Sequence, residues 1–525
     1  ELLDHVGRGS PARELTRIER AVERFARMAQ LWADAHGRVT PALQSTLTAI
    51  EHQHAAAFTR GARRAWQSLL ARLGARTSLP ILTPAESTPY WLKDGHPLVG
   101  WGSQTPLPVA ADVVIIGAGL TGVAAAYALA TDPRAAGLRT VLLESGEVGT
   151  QASGRNGGNF QILPENCFGT YAGLVCERAK LLRTLHPQTA PRLLQAQAKQ
   201  QARIVLEIAL RNRAILLENL QRADIAADLS REGAFHIALS AAEEQGLVAD
   251  VQQARALGIP MEILTPAQLD ILMELPPGTN RFCGRFCALD GNYHPFKYVV
   301  GLAKAAVAGG AQLFTHTGVA SLSSHPNGGY TVHTARGAIR SAAVIVATNA
   351  FTPRLLPALT MVQAYRSQVM LTEHAPQRWG GRSFTSDRGD LYGHYPSGEA
   401  YLDDHGARRA PLLLGGGRDR PFASPEKARR SHWVHKRVMR QRDAIAPELA
   451  GIPPSRAWAG PMAFTPDRLP LVGAWQRGLI VAVGFNGYGG TFTQAAAHAA
   501  VEVALTGSHP AWMPREMFCP RRFQT

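Results

Sequence analysis

The run ADVVIIGAGLTGVAAAYALA at 111–130 restricts what this chain can fold into more than any other stretch. Residues 112–116 read as a strand, and Gly117, Gly119 and Gly122 follow in the G-x-G-x-x-G arrangement where a helix opens. Gly117 permits the tight turn, Gly119 lets backbone approach a pyrophosphate, and Gly122 lets helix and strand pack closely. N–H groups at the helix start then face the anion. A second strand-like run, RTVLLE, ends at Glu144, about 20 residues past the last glycine. An acidic side chain there can accept hydrogen bonds from both ribose hydroxyls and repels a 2′-phosphate. The pattern predicts a dinucleotide-binding unit, and by itself does not separate NAD from FAD. The same apolar stretch is broken by its glycines and Thr121, which suits a buried strand, turn and helix. A membrane span needs about 20 apolar residues in a row.

One such unit occupies a small part of 525 residues, so two or three domains are expected. Residues 10–80 read as two helices. Ser10 before Pro11 suits an N-cap, and Leu15, Ile18, Val22, Phe25, Met28 and Trp32 fall on one face. A second helix from Thr40-Pro41 carries Leu43, Leu47, Ile50, Phe58, Trp66, Leu69 and Leu73. This hairpin is expected to dock on the body of the protein or on a second subunit. Peripheral membrane association through its arginine-rich side is the other reading. Residues 76–110 are proline-rich and read as a connector. Beyond it the composition turns α/β, with strand-like runs at 112–116, 140–143, 343–347 and 479–483. Helical character lies at about 176–222 and about 424–445, with mixed segments at 230–275 and 360–420.

The formal charge of +15 comes mostly from scattered arginines, with short clusters such as Arg408–Arg409 and Arg429–Arg430. No basic stripe interleaved with aromatics accompanies it, so no nucleic acid is expected as a partner. Cys167, Cys176, Cys283, Cys287 and Cys519 are sparse and odd in number, which points to a reducing compartment without a disulfide framework. Cys283 and Cys287 sit in CGRFC without a second Cys or His pair at zinc spacing, so they read as buried thiols and no metal is expected. The expected location is cytoplasmic. The chain starts at Glu1 without methionine, which fits removal of an upstream targeting segment.

Directly after Glu144 comes GEVGTQASGRNGGNF, 146–160, where small polar residues and glycines replace a long helix. Such a loop can present many backbone donors to a phosphate or ring system. Near the C-terminus, GLIVAVGFNGYGGTFTQAAAHAAVEVAL at 478–505 reads as strand, glycine turn and helix. Its G-x-x-G-x-G-G spacing is wrong for a second dinucleotide fold, yet the N–H groups at its helix start can stabilise negative charge.

From about Tyr90 to Thr506 the chain resembles the D-amino acid oxidase-like superfamily of flavoproteins. The likeness is greatest to the branch of glycine oxidase, sarcosine oxidase and gamma-glutamylputrescine oxidase. The residues that carry it occur in order: PYWL at 89–92, DVVIIGAGLTG at 112–122 and VLLESGEVGTQASGRNGG at 141–158. ALDGNYHPFKYVVGLAKAA at 288–306, VIVATNAFTP at 344–353, GPMAFTPDRLPLVG at 460–473 and VAVGFNGYGGTFT at 481–493 follow. The resemblance implies an α/β fold: a discontinuous Rossmann-like FAD-binding domain at 111–165, 285–355 and 455–510. An α+β substrate domain would occupy 166–284 and 356–454. The N-terminal helical extension at 1–80, a linker at 81–110 and a tail at 511–525 complete the expected organisation.

The resemblance also implies site residues. Gly117, Ala118, Gly119, Leu120, Thr121 and Gly122 would hold the FAD pyrophosphate, and Glu144 with Ser145 the adenosine ribose. Ser153, Arg155, Asn156, Gly157 and Gly158 would line the flavin loop, with Val319 against adenine. Ala347, Thr348 and Asn349 would end a strand beside the dinucleotide. Gly484, Phe485, Asn486, Gly487, Tyr488, Gly489 and Thr491 would cap the isoalloxazine at its pyrimidine end. Arg155 stands where histidyl-linked relatives place their histidine, and VQAYRSQVM at 362–370 offers no cysteine. Noncovalent FAD is therefore expected.

The implied reaction is hydride removal from a carbon next to an amine nitrogen, followed by hydrolysis of the imine. The substrate would be a small amine or amino acid, and the electron acceptor O2 or a quinone. The substrate face is expected from 160–285 and 355–455. Arg366 or Arg388 there can pair with a carboxylate, and Asp387 or Glu399 can hold a second ammonium. Tyr392 and His394 are the other candidates. His394 departs from the aromatic–aromatic–arginine run of the gamma-glutamylputrescine oxidase type. Two other classes remain open at this level: a membrane-associated quinone-reducing dehydrogenase docked through the hairpin, or a nucleic-acid-modifying flavoprotein. The hairpin can also serve a homo-oligomer.

Overall fold

The computed structural model describes residues 87–162, 171–386, 391–417, 425 and 430–523. The hairpin expected at 10–80 lies outside them, as do Cys167, Asp387 and Arg388. Ala110–Ile116 sits at the centre of an eight-stranded sheet, parallel to Thr140–Leu143 on one side and to Gly337–Val346 on the other. Gln312–Phe314 extends the sheet beyond Thr140–Leu143, and Leu479–Val483 extends it beyond Gly337–Val346, both in parallel. Leu471–Gln476 closes that edge antiparallel. The inner strands are almost wholly buried, as continuous apolar runs in a parallel sheet covered on both faces must be.

Gly337–Val346 changes character halfway. Its last four residues are buried among the parallel strands, whereas its first half alternates exposed and buried. That half pairs with the antiparallel ribbon Val319–Ser324 and Tyr330–Thr334. An apolar run reveals only the buried half, which is why the sequence reading begins six residues late, at 343.

Leu120–Thr131 is buried over ten of its twelve residues and packs against Gly489–Thr506 and Pro295–Ala308. Its alanines present little side chain, so helix axes can approach closely. On the outer side, the 32-residue helix Pro191–Arg222 packs on Tyr171–Leu185 and Gly489–Thr506. The single helical block read at 176–222 is thus two helices, separated at 186–190 where Pro187 and Pro191 interrupt the backbone pattern. Asn212 locks the long helix in place. Its Oδ1 accepts the N–H groups of Gln494 and Ala495 at 2.8 and 3.2 Å, and its Nδ2 donates to the Gly490 carbonyl at 2.7 Å.

A second, nine-stranded and mainly antiparallel sheet runs in the order Arg456–Phe464, Gln363–Pro376, Arg408–Gly416, Leu391–His394, Ser383–Ser386, Ala234–Ile237, Gly284–Cys287, Met261–Leu264, with the short strand Tyr401–Leu402 paired to Arg408–Gly416. Gly284–Cys287 and Arg456–Phe464 both pair in this sheet, although the sequence division groups residues 285–287 and all of 456–464 with the dinucleotide-binding segments. Arg456–Phe464 pairs with Gln363–Pro376 over nine residues. A partner some ninety positions away leaves no local mark on the strand. Cys283, just before the strand Gly284–Cys287, and Cys287 at its end are buried. Burial pushes the Cys283 thiol up to about 11 and raises Cys287 further, with Glu244 and Asp290 adding to it respectively. Among the described residues no helix is long and apolar enough to cross a membrane.

Candidate functional site

The carboxyl ends of the parallel strands open into a cavity of about 650 Å³, roofed by the second sheet. Ligands of open α/β sheets collect at that end, where the strand order reverses. At one side stands the glycine turn. Gly117 has φ +103°, and a Cβ there would lie 2.9 Å from the Ala347 carbonyl oxygen. Gly119 is the N-cap of Leu120–Thr131, and no side chain of its own caps the helix. Ser153 supplies one acceptor instead: its Oγ takes the Leu120 N–H at 2.8 Å. Glu144 is held as an acceptor platform by the N–H groups of Ala118 and Gly146, at 2.8 and 2.9 Å.

Of the residues expected here, Gly117, Gly119, Leu120, Thr121, Glu144 and Ser145 line the cavity. Ala118 and Gly122 do not. Ala118 is fully buried and spends its N–H on Glu144. Gly122 faces back onto the turn, where a Cβ would overlap the Gly117 carbonyl. Their roles are in the shape of the turn.

The loop after Glu144 lines the middle of the cavity through Ser153, Arg155, Asn156, Gly157 and Gly158. Two tryptophans from distant segments fix its path. The Trp91 indole donates to the Asn156 carbonyl at 2.7 Å and the Trp458 indole to the Arg155 carbonyl at 3.0 Å. Within the loop, Asn156 Oδ1 accepts the Gly158 N–H at 2.7 Å, and Arg155 donates to the carbonyls of Thr150 and Ala459 at 2.8 and 3.2 Å. Burial lowers the Arg155 pKa.

The far side is built by Val319, Ala347, Thr348 and Asn349, and by Phe485, Gly487, Tyr488, Gly489 and Thr491. Asn349 adopts φ +44° and its Oδ1 accepts the Gly484 N–H at 3.1 Å, which ties two neighbouring strand ends together. Gly484 and Asn486 stand behind the lining. Asn486 Oδ1 accepts from Thr465 N–H at 2.8 Å and its Nδ2 donates to the Gly484 carbonyl at 2.6 Å. Gly489–Thr506 begins at this wall, again without a side-chain cap at its N-cap Tyr488. Two helix starts therefore open on one cavity, each offering backbone N–H groups to negative charge.

On the roof, Tyr392 lines the cavity, its ring packed over Gly157 and Gly415. A Cβ at either glycine would meet that ring, at 3.0 Å from Cδ2 and 2.6 Å from Cε2 respectively. The other candidates for the substrate face are displaced. Arg366 does not line the cavity. It precedes Ser367 on Gln363–Pro376, and Ser367 takes the cavity side, so strand alternation turns Arg366 to the opposite face. His394 is 1% exposed, its Nε2–H donates to the Gly157 carbonyl at 2.6 Å, and its ring stacks on Trp91. Burial lowers its pKa. It braces the loop from outside. Glu399 is engaged by Lys93 at 2.7 Å, away from the cavity.

Gln161, Arg354, Ser367, Thr385 and Met462 line the cavity without having been singled out from sequence. Ser367 and Thr385 are small hydroxyls on otherwise ordinary strands. Only the assembly of one sheet over the loop, with Arg408–Gly416 and Leu391–His394 between their two strands, brings them to the cavity.

Residues 112–503 match the model of a family described as FAD dependent oxidoreductase. The chain is 27% identical over 389 residues to "Probable oxidoreductase OrdL" of Rhizobium meliloti (strain 1021), covering 72% of this chain and 79% of that protein. It is 24% identical over 405 residues to gamma-glutamylputrescine oxidoreductase of Escherichia coli (strain K12), covering 75% and 84%. Among solved structures, glycine oxidase from Geobacillus kaustophilus superposes with a TM-score of 0.63 at 20% identity, covering 80% of this chain and all of that one.

Proposed function

This chain belongs to the FAD-dependent oxidoreductase family, and within it we propose that it oxidises the C–N bond of a small amine or amino acid and passes the electrons to dioxygen. The observation that carries this reading is the pair of helix starts at Gly119 and Tyr488, neither capped by its own N-cap side chain, opening on a single cavity under an antiparallel roof. The cradle fits FAD. Gly117, Gly158 and Gly490 line it with backbone alone, packed too closely on neighbouring backbone to carry a Cβ. Glu144 and Ser145 are proposed to hold the ribose, the Gly117–Thr121 backbone the pyrophosphate, and Val319 the adenine. The 153–158 loop and Gly487–Thr491 would take the ring system. No cysteine or histidine lines the cavity among the described residues, which supports noncovalent binding.

Bound FAD supplies a two-electron acceptor for the hydrogen on the carbon next to nitrogen. The protein's share is placement and exclusion of water. Tyr392, Ser367 and Thr385 face the cavity from the roof and are proposed to seat the substrate, with Tyr392 as its wall. The N–H groups at the start of Gly489–Thr506 are aimed where negative charge would gather, already oriented before the reaction begins. The oxidised product, an imine, hydrolyses to a carbonyl.

The test is anaerobic mixing of the purified yellow protein with a panel of amines, amino acids and N-methyl amino acids, followed at the flavin absorption band. Bleaching by one class identifies the substrate class, and hydrogen peroxide on admitting air identifies dioxygen as acceptor. A protein that is purified colourless and takes up no FAD refutes the reading. Bleaching followed by slow reoxidation in air would instead assign the electrons to a quinone.

A further inference from the structure

We infer that the C-terminal tail is a clamp on the cofactor wall, and that Arg522 is a positioning residue for the turn 484–487. The inference rests on the proposed role of that turn in holding FAD. The tail lies beyond the residues 112–503 that the family model matches. It is nevertheless well buried: Met513, Met517 and Phe518 enter the same apolar cluster as Phe485, Tyr488 and Phe492.

Arg522 grips Asp467 with two parallel bonds, Nε to Oδ2 at 3.0 Å and Nη2 to Oδ1 at 2.8 Å, and donates to the Leu469 carbonyl at 2.8 Å. Its remaining amino group donates to the Phe518 carbonyl at 3.0 Å, which seats the guanidinium on the tail itself. Arg178, from Tyr171–Leu185, approaches the same carboxylate at 3.7 Å. Asp467 is almost inaccessible in this nest, so its charge depends on these two partners.

Asp467 in turn shapes the turn that follows Arg456–Phe464. Its Oδ1 accepts the Leu469 N–H at 3.1 Å, while Arg468 between them takes φ +61°. The Thr465 hydroxyl donates to the Leu469 carbonyl at 2.7 Å, and the Thr465 N–H donates to Asn486 Oδ1 at 2.8 Å. Asn486 sits at φ +56°, in the left-handed region that asparagine enters more readily than most L-residues. Its N–H donates to the Ala463 carbonyl at 2.8 Å and its side chain to Gly484. Phe485 and Gly487, on either side of Asn486, line the cavity. Every link from Arg522 to the cavity wall is thus a hydrogen bond between buried groups, and none of the side chains forming the relay touches the cavity.

The test compares FAD release from the full-length holoenzyme on dilution, read as the rise of free-flavin fluorescence, for wild type, Arg522→Gln and Arg285→Gln. Arg285→Gln is the control. It breaks another buried ion pair, between Arg285 of the second sheet and Asp250 at 3.2 Å, and removes none of the bonds that join Arg522, Asp467, Thr465 and Asn486. Both variants are expected to lower the melting temperature. Only Arg522→Gln is expected to raise the FAD dissociation constant, by about tenfold or more, as loss of a supporting outer partner does at metal sites. An Arg522→Gln holoenzyme that melts lower but keeps wild-type FAD affinity overturns the inference. Should Arg522→Gln fail to fold, Arg522→Lys, which keeps charge without the fork, and Thr465→Val, which removes the hydroxyl link, carry the same comparison. Wild-type affinity in both overturns the inference as well. A wild-type protein without FAD would refute the proposed function itself, an outcome distinct from either.

Discussion

Acidification should loosen this protein through one histidine, and the size of the effect can be worked from its surroundings. His294 is the N-cap of Pro295–Ala308, where its Nδ1 accepts the Lys297 N–H at 3.1 Å. Its ring lies edge-on to Trp91, centroids 4.7 Å apart. Burial is the main cause that pushes its pKa from 6.5 down to about 4; Lys297 and Lys93 add to it and Asp228 opposes it. The folded pKa is depressed, so below pH 6.5 the unfolded chain takes up a proton that the folded chain refuses. Stability that is fully present above 6.5 is lost progressively toward pH 4, and no more is lost to this group below that. At about 1.4 kcal/mol for each pH unit of separation, the loss approaches about 3 kcal/mol. Trp91 also holds the Asn156 carbonyl, so the loosening should reach the loop that lines the cavity. The assay is urea unfolding from about pH 7.5 to about 4 for wild type and His294→Asn, which keeps a capping oxygen without the titration. Wild type should lose up to about 3 kcal/mol more than the variant across that range, and release FAD at a higher pH. Parallel stability profiles for the two proteins would refute the reasoning.

Gly122→Ala should disrupt the turn itself, because its Cβ would overlap the Gly117 carbonyl, 2.9 Å from the carbonyl carbon, and backbone cannot rotate away. A loss of about 1–3 kcal/mol or more in denaturant unfolding is expected, together with protein purified without flavin colour. Gly415→Ala should push Tyr392 into the cavity, its Cβ falling 2.6 Å from Tyr392 Cε2. The variant should keep FAD while kcat/KM falls by about tenfold to a hundredfold, measured with whichever substrate bleaches the wild-type flavin. Asn212→Ala removes three buried hydrogen bonds between the long helix and Gly489–Thr506. At about 1–3 kcal/mol for each buried group left without a partner, a loss near about 3 kcal/mol should appear in urea unfolding.

How much of the site could be read in advance follows from how local each part is. The glycine turn needs only neighbouring residues to take its shape, and Gly117, Gly119 and Glu144 stand where the spacing places them. The 153–158 loop also lines the cavity, whereas in the glycine turn 484–487 before Gly489–Thr506 only Phe485 and Gly487 do, with Gly484 and Asn486 behind them. The substrate face obeys another rule. Whether Arg366 or Ser367 faces the cavity is a question of strand phase, and a strand with both faces buried carries no alternation to reveal it. His394 is polar, aromatic and two positions from the cavity residue Tyr392, yet it closes on a loop carbonyl that comes from more than two hundred positions earlier.

The sequence by itself determined the dinucleotide anchor of this protein, because strand, glycine turn and helix start are dictated within about a dozen residues whose backbone geometry leaves few alternatives. Only the tertiary structure decided what surrounds that anchor. The pairing of Arg456–Phe464 with Gln363–Pro376, the two tryptophans that brace the loop, and the tail's grip on Asp467 all join segments far apart in the chain. Such contacts form where burial and hydrogen bonding repay the closure of long loops, a balance struck by the whole fold and written in no single stretch of it.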